Sequence, residues 1–589
     1  MREKFMATLS QAEIRKIIER YALINAYKYD GKAQTSSVMS SIISTEPDMR
    51  PHAKNIKPIV DEIVNSVNSM SMESIKNAME QKGAVCLHER GEAVEQAEGL
   101  PPLPGLEGNK RPVFRLAPYP SGPLHIGNAR MVILNAEYAR LTNGKIILCF
   151  DDTIGAMQKD IESEEGAKFV VPEAYDMIRE GLEWLGVKWQ QEFYKSERLP
   201  VYYQYCVKVI KMNMAYACNC DVETFRDLKN AGMSCPHHDM PPKETLEIFQ
   251  GMLDGKYNEG EVVIRLKTGV DLKDPALREP VIMRISFAKH PRVGNDYIVW
   301  PLLEFSWGID DHEFGITHII RGKDLYKEDF IEEFLWNLFG WKKKTILHFG
   351  ILMFEGIKLS KTRARQMIQS GEYLGWDDPR TWSMQSLARR GISPEAVRKS
   401  LLDLRLSLND ISFSYTQLYA NNKQYIEKCV VAFSFIPDPV KWFISEIPRS
   451  KWVARVLVNP FVKNGNYRDI EIEASKGKKV FYLSEASVDA MKKSPVRLKD
   501  LFNIQKINGE LHYHSEKPEG MKSSIPWIDG RDGNNVDVQV LMPDGSVVSG
   551  KGESSIMAMD IGQVVYFDHF GFARIDEITD DGIVAWFAH

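Results

Sequence analysis

The sequence is short of features that mark a class at sight. Cysteines are few: Cys86, Cys149, Cys206, Cys218, Cys220, Cys235 and Cys429 are 7 in 589 residues. That number is odd and too sparse for a disulfide framework, and suits a reducing compartment. No apolar run approaches the ~18 residues of a membrane span. The opening MREKFMATLSQAEIRK carries charges where a signal peptide needs an apolar stretch. The expectation is a cytoplasmic protein with no membrane association. Neither sign of charge dominates: 75 basic and 80 acidic residues give −5 with histidines neutral. This excludes an overwhelmingly basic chain but not a local basic face, because the field that binds nucleic acid is local. No internal repeat or long low-complexity tract is present, which excludes solenoids and disordered tails. What remains is an ordinary globular composition, 44% hydrophobic and 26% charged, long enough for roughly four domains.

Patterning divides the chain. Ile14, Ile17, Ile18, Tyr21 and Ala22, then Ile56, Ile59, Val60, Ile63 and Val64, repeat at helical spacing. A Pro/Gly-rich joint, GLPPLPGLEGNKRP, follows at 99–112. Strand candidates at 113–117 and 145–150 with a helical pattern between them predict a βαβ unit and a parallel sheet. Helical patterns cover 171–185 and 199–215, and strand-like segments return at 297–300, 316–322 and 345–352. Residues 385–428 read as helical. Beyond 430, short alternating runs separated by PDG, HFG and DDG predict an all-β barrel or sandwich.

Three segments carry chemistry. In RLAPYPSGPLHIGNAR (115–130) a strand ends in a Pro/Gly turn, and His125 precedes a helix start at Ile126 or Gly127. A strand-to-helix junction offers free N–H groups and the positive end of a dipole to phosphate. Pro120, Gly122 and Gly127 shape the turn, and glycine lets a nucleotide approach the backbone. In GIKLSKTRAR (356–365), Lys358 and Lys361 flank Ser360. Lysines bind phosphate as point charges and suit a leaving pyrophosphate. Cys218-Asn-Cys220 and Cys235-Pro-His237 form a Cys3His set with a 14-residue gap, the composition of a closed structural zinc site, with His238 as an alternative fourth ligand.

The order of RLAPYPSGPLHIGNAR, FDDT (150–153), IDDHEFGITHIIRGKDL (309–325), KLSK and GWDDPR (375–380) resembles the class I aminoacyl-tRNA synthetases. It is the glutamyl/glutaminyl subgroup in its archaeal/eukaryotic form that it looks like, over essentially the whole chain. The resemblance implies a multidomain fold: a helical N-terminal extension (1–105), a Rossmann-like parallel-sheet catalytic domain (106–205 and 291–370) and an acceptor-stem-binding insertion (206–290). A helical connector (371–430) and antiparallel anticodon-binding β-barrels (431–589) complete it. It implies ATP and Mg2+ as cofactors, zinc in the insertion, glutamate and tRNA(Glu) as substrates, and leaves tRNA(Gln) open as a second acceptor; a monomer is favoured.

By the same resemblance, His125, Asn128, Lys358 and Lys361 serve catalysis, and Pro120, Gly122, Gly127 and Ser360 join His125 and the lysines in binding ATP. Arg115, Asp151, Leu303 and Arg321 form the amino-acid pocket. Arg115 and Arg321 would meet the substrate's side-chain carboxylate and Asp151 its ammonium. Arg321 favours glutamate, since glutaminyl enzymes are neutral there, and Arg321→Cys is expected to abolish glutamate use while the fold survives. Asn128 stands where a second His is usual, Cys149 where an Arg is common and Leu303 where a Tyr is frequent, with Trp307 nearby. The tRNA footprint is expected on the insertion, near Arg389 and Arg390, and on the basic, aromatic-bearing stretch with Lys476, Lys478, Lys479, Lys492, Lys493, Arg497, Trp442, Phe443 and Trp452. The acidic 576–581 tail is expected to stay clear. The competing readings are a glutaminyl enzyme, a non-catalytic tRNA-binding paralogue suggested by Asn128 and Leu303, and a small-molecule nucleotidyltransferase.

Overall fold

The computed structural model describes residues 11–29, 31–45, 53–81, 99–106, 111–154, 156–158, 169–354, 359–463, 465–491, 494–518 and 524–589. Lys358, Lys492, Lys493 and Cys86 lie outside them. The chain forms two compact units, 1–98 and 99–589. In the first, helices α1 (Gln11–Lys28), α2 (Thr35–Thr45), α3 (Ala53–Asn68) and α4 (Met72–Gln81) enclose their own core. Ile18, Ala22 and Val60 are fully buried, with Ile14, Ile17 and Tyr21 packed at the edge. The 3-4 spacing thus marked the inward stripe.

The second unit is built on a parallel five-stranded sheet in the order β3-β2-β1-β8-β9. Strand β1 (Val113–Leu116) leads into helix α5 (Ile126–Leu141) and β2 (Lys145–Phe150), and β3 (Gln191–Tyr194) extends that side. Strands β8 (His318–Gly322) and β9 (Thr345–Phe349) return on the other side of β1. The central strands β1, β2 and β8 are largely buried, as a sheet covered on both faces requires, whereas β3 and β9 at the edges are only partly so. The order reverses between β1 and β8, and ligands of open α/β sheets bind outside the carboxyl ends of the strands at such a switch point.

Between the halves lies an antiparallel sheet of β4 (Ala215–Cys218), β5 (Val263–Leu266), β6 (Val281–Ile285) and β7 (Val299–Pro301). The strand expected at 297–300 pairs here, Ile285 opposite Val299, and not with the parallel sheet. The insertion's sheet therefore runs to Pro301. Helices Met384–Arg389, Pro394–Leu402 and Tyr415–Ile426 follow.

After Val430 the chain forms two seven-stranded sheets, each around its own core, and a two-stranded ribbon. The edge strands of one, Val431–Phe433 and Phe435–Pro437, are separated only by Ser434. The edges of the other, Ser524–Ile525 and Ile528–Asp529, are separated only by Pro526 and Trp527. Such short links bring the two edges of each sheet together, which gives both a barrel-like closure.

Candidate active site

The His125 turn is locally determined. His125 is extended (φ −115°, ψ 168°) and N-caps α5, its Nδ1 accepting from the Gly127 N–H at 3.1 Å. Asn128 completes a capping box by accepting from the His125 N–H at 3.4 Å. Burial, reinforced by the Lys361 ammonium, lowers the His125 imidazole to about 3. The ring is therefore neutral at neutral pH, with Nδ1 used as an acceptor and Nε2–H left as a donor. Asn128 thus has a definite structural task in place of a second imidazole.

The turn is clamped from two sides. Gly122 has φ +148°, and a Cβ there would lie 2.8 Å from the Trp376 ring. The same 376–384 segment accepts from the Ile126 N–H through the Trp382 carbonyl at 3.0 Å and donates from the Met384 N–H to the Leu124 carbonyl at 2.9 Å. On the other side Ser360 N-caps helix Lys361–Gln369. Lys361 donates to the Gly122 carbonyl at 3.0 Å and Arg365 to the Ser121 carbonyl at 2.8 Å. Arg365 and Trp376 were not singled out in the sequence; each lies inside a recognised segment but has no pattern of its own.

A cavity of about 1060 Å³ opens at the switch point and brings together His125, Asn128, Asp151, Leu303, Ser360 and Lys361, with Tyr119, Arg284 and Trp307 also lining it. Gly127 lines an adjoining space of about 390 Å³ with His125 and Asn128. Pro120 and Gly122 line neither of the two and act through the shape of the turn.

Arg115 and Arg321 do not line the large cavity. Arg115 donates from Nε to Asp311 at 2.6 Å and from Nη2 at 3.3 Å. Arg321 holds Glu332 at 2.8 and 3.1 Å and Asp329 at 3.0 Å, and is 2% exposed. In this structure both guanidiniums are thus taken up by buried carboxylates, the paired state that a charge removed from water requires. Trp307 touches the cavity and also the cations behind it, its ring 4.4 Å from the Arg115 guanidinium carbon and 5.5 Å from that of Arg321.

Of the two arginines expected near the RNA, Arg390 is corrected. Arg390 is 0% exposed and donates to the Phe587 and Ala588 carbonyls at 3.1 and 2.9 Å. Arg389 pairs with Asp377 at 2.7 Å and Asp576 at 2.6 Å. Asp576 and the two carbonyls lie almost 200 residues away, so helix position alone could not reveal these contacts to the C-terminal strands. Lys479 and Trp452 are buried as well, Lys479 against Asp529 at 2.5 Å, whereas Phe443 is 65% exposed.

Cys218, Cys220, Cys235 and His237 do converge, their ligand atoms all within 4.8 Å of one another. The Cys218–Cys235 sulfur separation is 3.7 Å, and His237 Nδ1 lies 3.4 and 3.5 Å from the sulfurs of Cys220 and Cys235. A tetrahedral zinc with usual bond lengths demands edges of roughly 3.8 Å between sulfurs and roughly 3.6 Å from sulfur to nitrogen. The donor set fits. His238, the alternative ligand, pairs through Nδ1 with Glu279 at 2.6 Å instead.

An interrupted parallel sheet with a helix N-terminus, a lysine-bearing helix and a buried carboxylate around one cavity defines a nucleotide-dependent enzyme of the Rossmann-like kind. The family of class I tRNA synthetases for E and Q, catalytic domain, matches residues 113–428. The glutamate–tRNA ligase of Thermococcus kodakarensis is 37% identical over 588 residues, covering 98% of this chain and 100% of that one. That of Methanothermobacter thermautotrophicus is 38% identical over 580 residues, covering 98% and 99%. A crystal structure of a glutamate tRNA ligase from Elizabethkingia meningosepticum with its amino acid aligns over 54% of this chain and 70% of that one, at 21% identity and a TM-score of 0.37. The chain belongs to the class I glutamyl/glutaminyl tRNA synthetases, in the archaeal-type glutamyl branch.

Proposed function

We propose that the chain is a glutamate–tRNA ligase, joining glutamate to the 3′ end of tRNA(Glu) at the expense of ATP. The observation that carries this is full-length likeness to glutamate–tRNA ligases combined with a single cavity that gathers His125, Lys361 and Asp151. In the first step a glutamate α-carboxylate oxygen bonds to the α-phosphorus of ATP and the bond to pyrophosphate breaks. In the second, the terminal ribose hydroxyl attacks the acyl carbon, and AMP leaves as the hydroxyl proton is lost. Neither step needs a protein nucleophile; both need position and charge stabilisation.

The N-terminus of α5 and the His125 Nε2–H face the phosphates, and Lys361 follows the charge that develops on pyrophosphate. Lys358, three residues before Lys361 in the sequence, is assigned the same task. Mg2+ carried by ATP neutralises phosphate charge. Asp151 binds the substrate ammonium and Leu303 walls the pocket. Arg115 and Arg321 are assigned to the substrate's side-chain carboxylate, which would have to draw them from Asp311, Glu332 and Asp329. Cys218, Cys220, Cys235 and His237 hold a structural zinc ion beside the antiparallel sheet, whose insertion meets the acceptor stem. The C-terminal sheets meet the anticodon, with Phe443 available for stacking. The enzyme acts in the cytoplasm as a monomer, and no helix among the described residues is long and apolar enough to cross a membrane.

Aminoacylation with labelled glutamate or glutamine, on separate tRNA(Glu) and tRNA(Gln) transcripts, tests the proposal. Glutamate charging of tRNA(Glu) is expected; glutamine charging alone, or no charging, overturns it. Charging of tRNA(Gln) with glutamate decides the second acceptor.

A further inference from the structure

Lys195 is the least expected charge in the site. It follows β3, at the start of a short 3-10 turn, and is 0% exposed. Its ammonium lies 3.2 Å from Asp151 Oδ1, donates to the Ser306 hydroxyl at 2.8 Å and sits 5.1 Å from the centre of the Trp307 ring. A lysine is costly to bury unless its charge is met, so this placement needs a reason. Cys149, on β2, brings no charge to the cluster, so Lys195 supplies a cation from another element.

Asp151 is 1% exposed, yet lines the cavity. Oδ1 receives both Lys195 and the Thr153 hydroxyl, the latter at 3.3 Å. Among the described residues no hydrogen-bond donor reaches Oδ2. The carboxylate thus has one anchored oxygen and one left for a ligand.

We propose that Lys195 is a positioning residue for the reaction: it anchors Asp151 through Oδ1 and keeps it ionised, so that Oδ2 receives the ammonium group of the amino-acid substrate. The proposal rests on the ligase reading above. Burial alone pushes Asp151 up from the ordinary carboxylate range, and Lys195 is the strongest group opposing it. The other groups that face Asp151 are Asp152 and Tyr119, Arg115 from β1, and the Cys149 thiol. Lys195 also faces Asp310, which burial pushes up to about 6 and which keeps Arg198 and Tyr202 as partners when Lys195 is removed. Asp152 acts against ionisation and is itself fastened by Tyr175 and Ser196, each at 2.8 Å. Arg115 acts in favour but is held by Asp311. Removing Lys195 therefore leaves Asp151 with no close cation of its own.

The test is the pH profile of kcat/KM for glutamate in tRNA(Glu) charging by the full chain. In Lys195→Met the acid limb is expected to move up by at least about one pH unit, the usual effect of one adjacent charge. KM for glutamate at neutral pH should rise about tenfold or more while KM for ATP holds, and Lys195→Arg should return the limb towards the wild-type position. A merely structural lysine would lower activity at all pH values without moving the limb. If Lys195→Met does not fold, Thr153→Val, which removes the other donor to Oδ1, should shift the limb in the same direction by a smaller amount. An unmoved limb in a folded variant of either kind overturns the proposal. Absence of charging by the wild type would refute the ligase reading itself, whereas normal wild-type charging with an unmoved limb refutes only the role of Lys195.

Discussion

Replacing Arg321 by Cys separates a guanidinium that waits for substrate from one that holds the protein together. The side chain is 2% exposed, with two hydrogen bonds to Glu332 and an ion pair to Asp329. Glu332 would keep only a longer contact to Arg115 at 3.7 Å, and Asp329 only His348 at 2.9 Å. Removing one partner of a buried pair typically costs about 3–5 kcal/mol, because the other charge stays buried and uncompensated. At the few °C per kcal/mol typical of large domains, Tm should fall by at least about 5 °C. This replaces the expectation that the fold survives the substitution unharmed. The loss should also grow with pH. Burial already pushes Glu332 up; without Arg321 its folded-state value rises further, so stability is retained while it is protonated and lost as pH rises through that value. Adding Glu332→Gln should recover part of the loss, less than additively, since the two side chains touch. Differential scanning fluorimetry without substrate, from pH 6 to 8, reads all three effects. An Arg321→Cys protein with unchanged Tm but a greatly raised KM for glutamate would refute the reasoning and show a guanidinium free for substrate.

Other expectations are as direct. His125, lowered to about 3, favours the neutral form in the folded state; its contribution is full above pH 6.5 and erodes as pH falls, by up to about 2 kcal/mol between pH 6.5 and 5. His125→Gln should therefore flatten the wild-type loss of Tm over that interval, and an equal slope in both proteins would exclude this group as the cause. The Cys3His cluster should yield one zinc per chain by elemental analysis, with Cys235→Ser abolishing it and lowering Tm; zinc retained in that variant would overturn the ligand set. Arg390→Met should cost about 2–4 kcal/mol, because the Phe587 and Ala588 carbonyls lose a buried charged donor. Arg389→Ala should leave the salt dependence of tRNA binding unchanged, whereas a phosphate contact would reduce its slope by about one.

Local patterns in the sequence determined a good deal. KIILCF is a strand over its whole length, and the helix after His125 begins at Ile126. Both follow from side-chain periodicity and from turn and cap chemistry acting within a few residues. The Cys-x-Cys and Cys-x-His pairs converge for a related reason: each pair is local, and only one loop had to close. Tertiary structure decided what each buried charge meets. Arg115 finds Asp311 196 residues on, and Arg390 finds Ala588 198 residues on. No periodicity encodes such pairings; strand order and packing alone bring them into register. The same holds for Lys195, which reads as a basic residue between two tyrosine-bearing segments. Only the approach of β2, β3 and the helix carrying Ser306 and Trp307 makes it the cation of the Asp151 cluster. What a charged side chain does in a buried site follows from its nearest opposite charge, and that neighbour is set by the fold, not by sequence spacing.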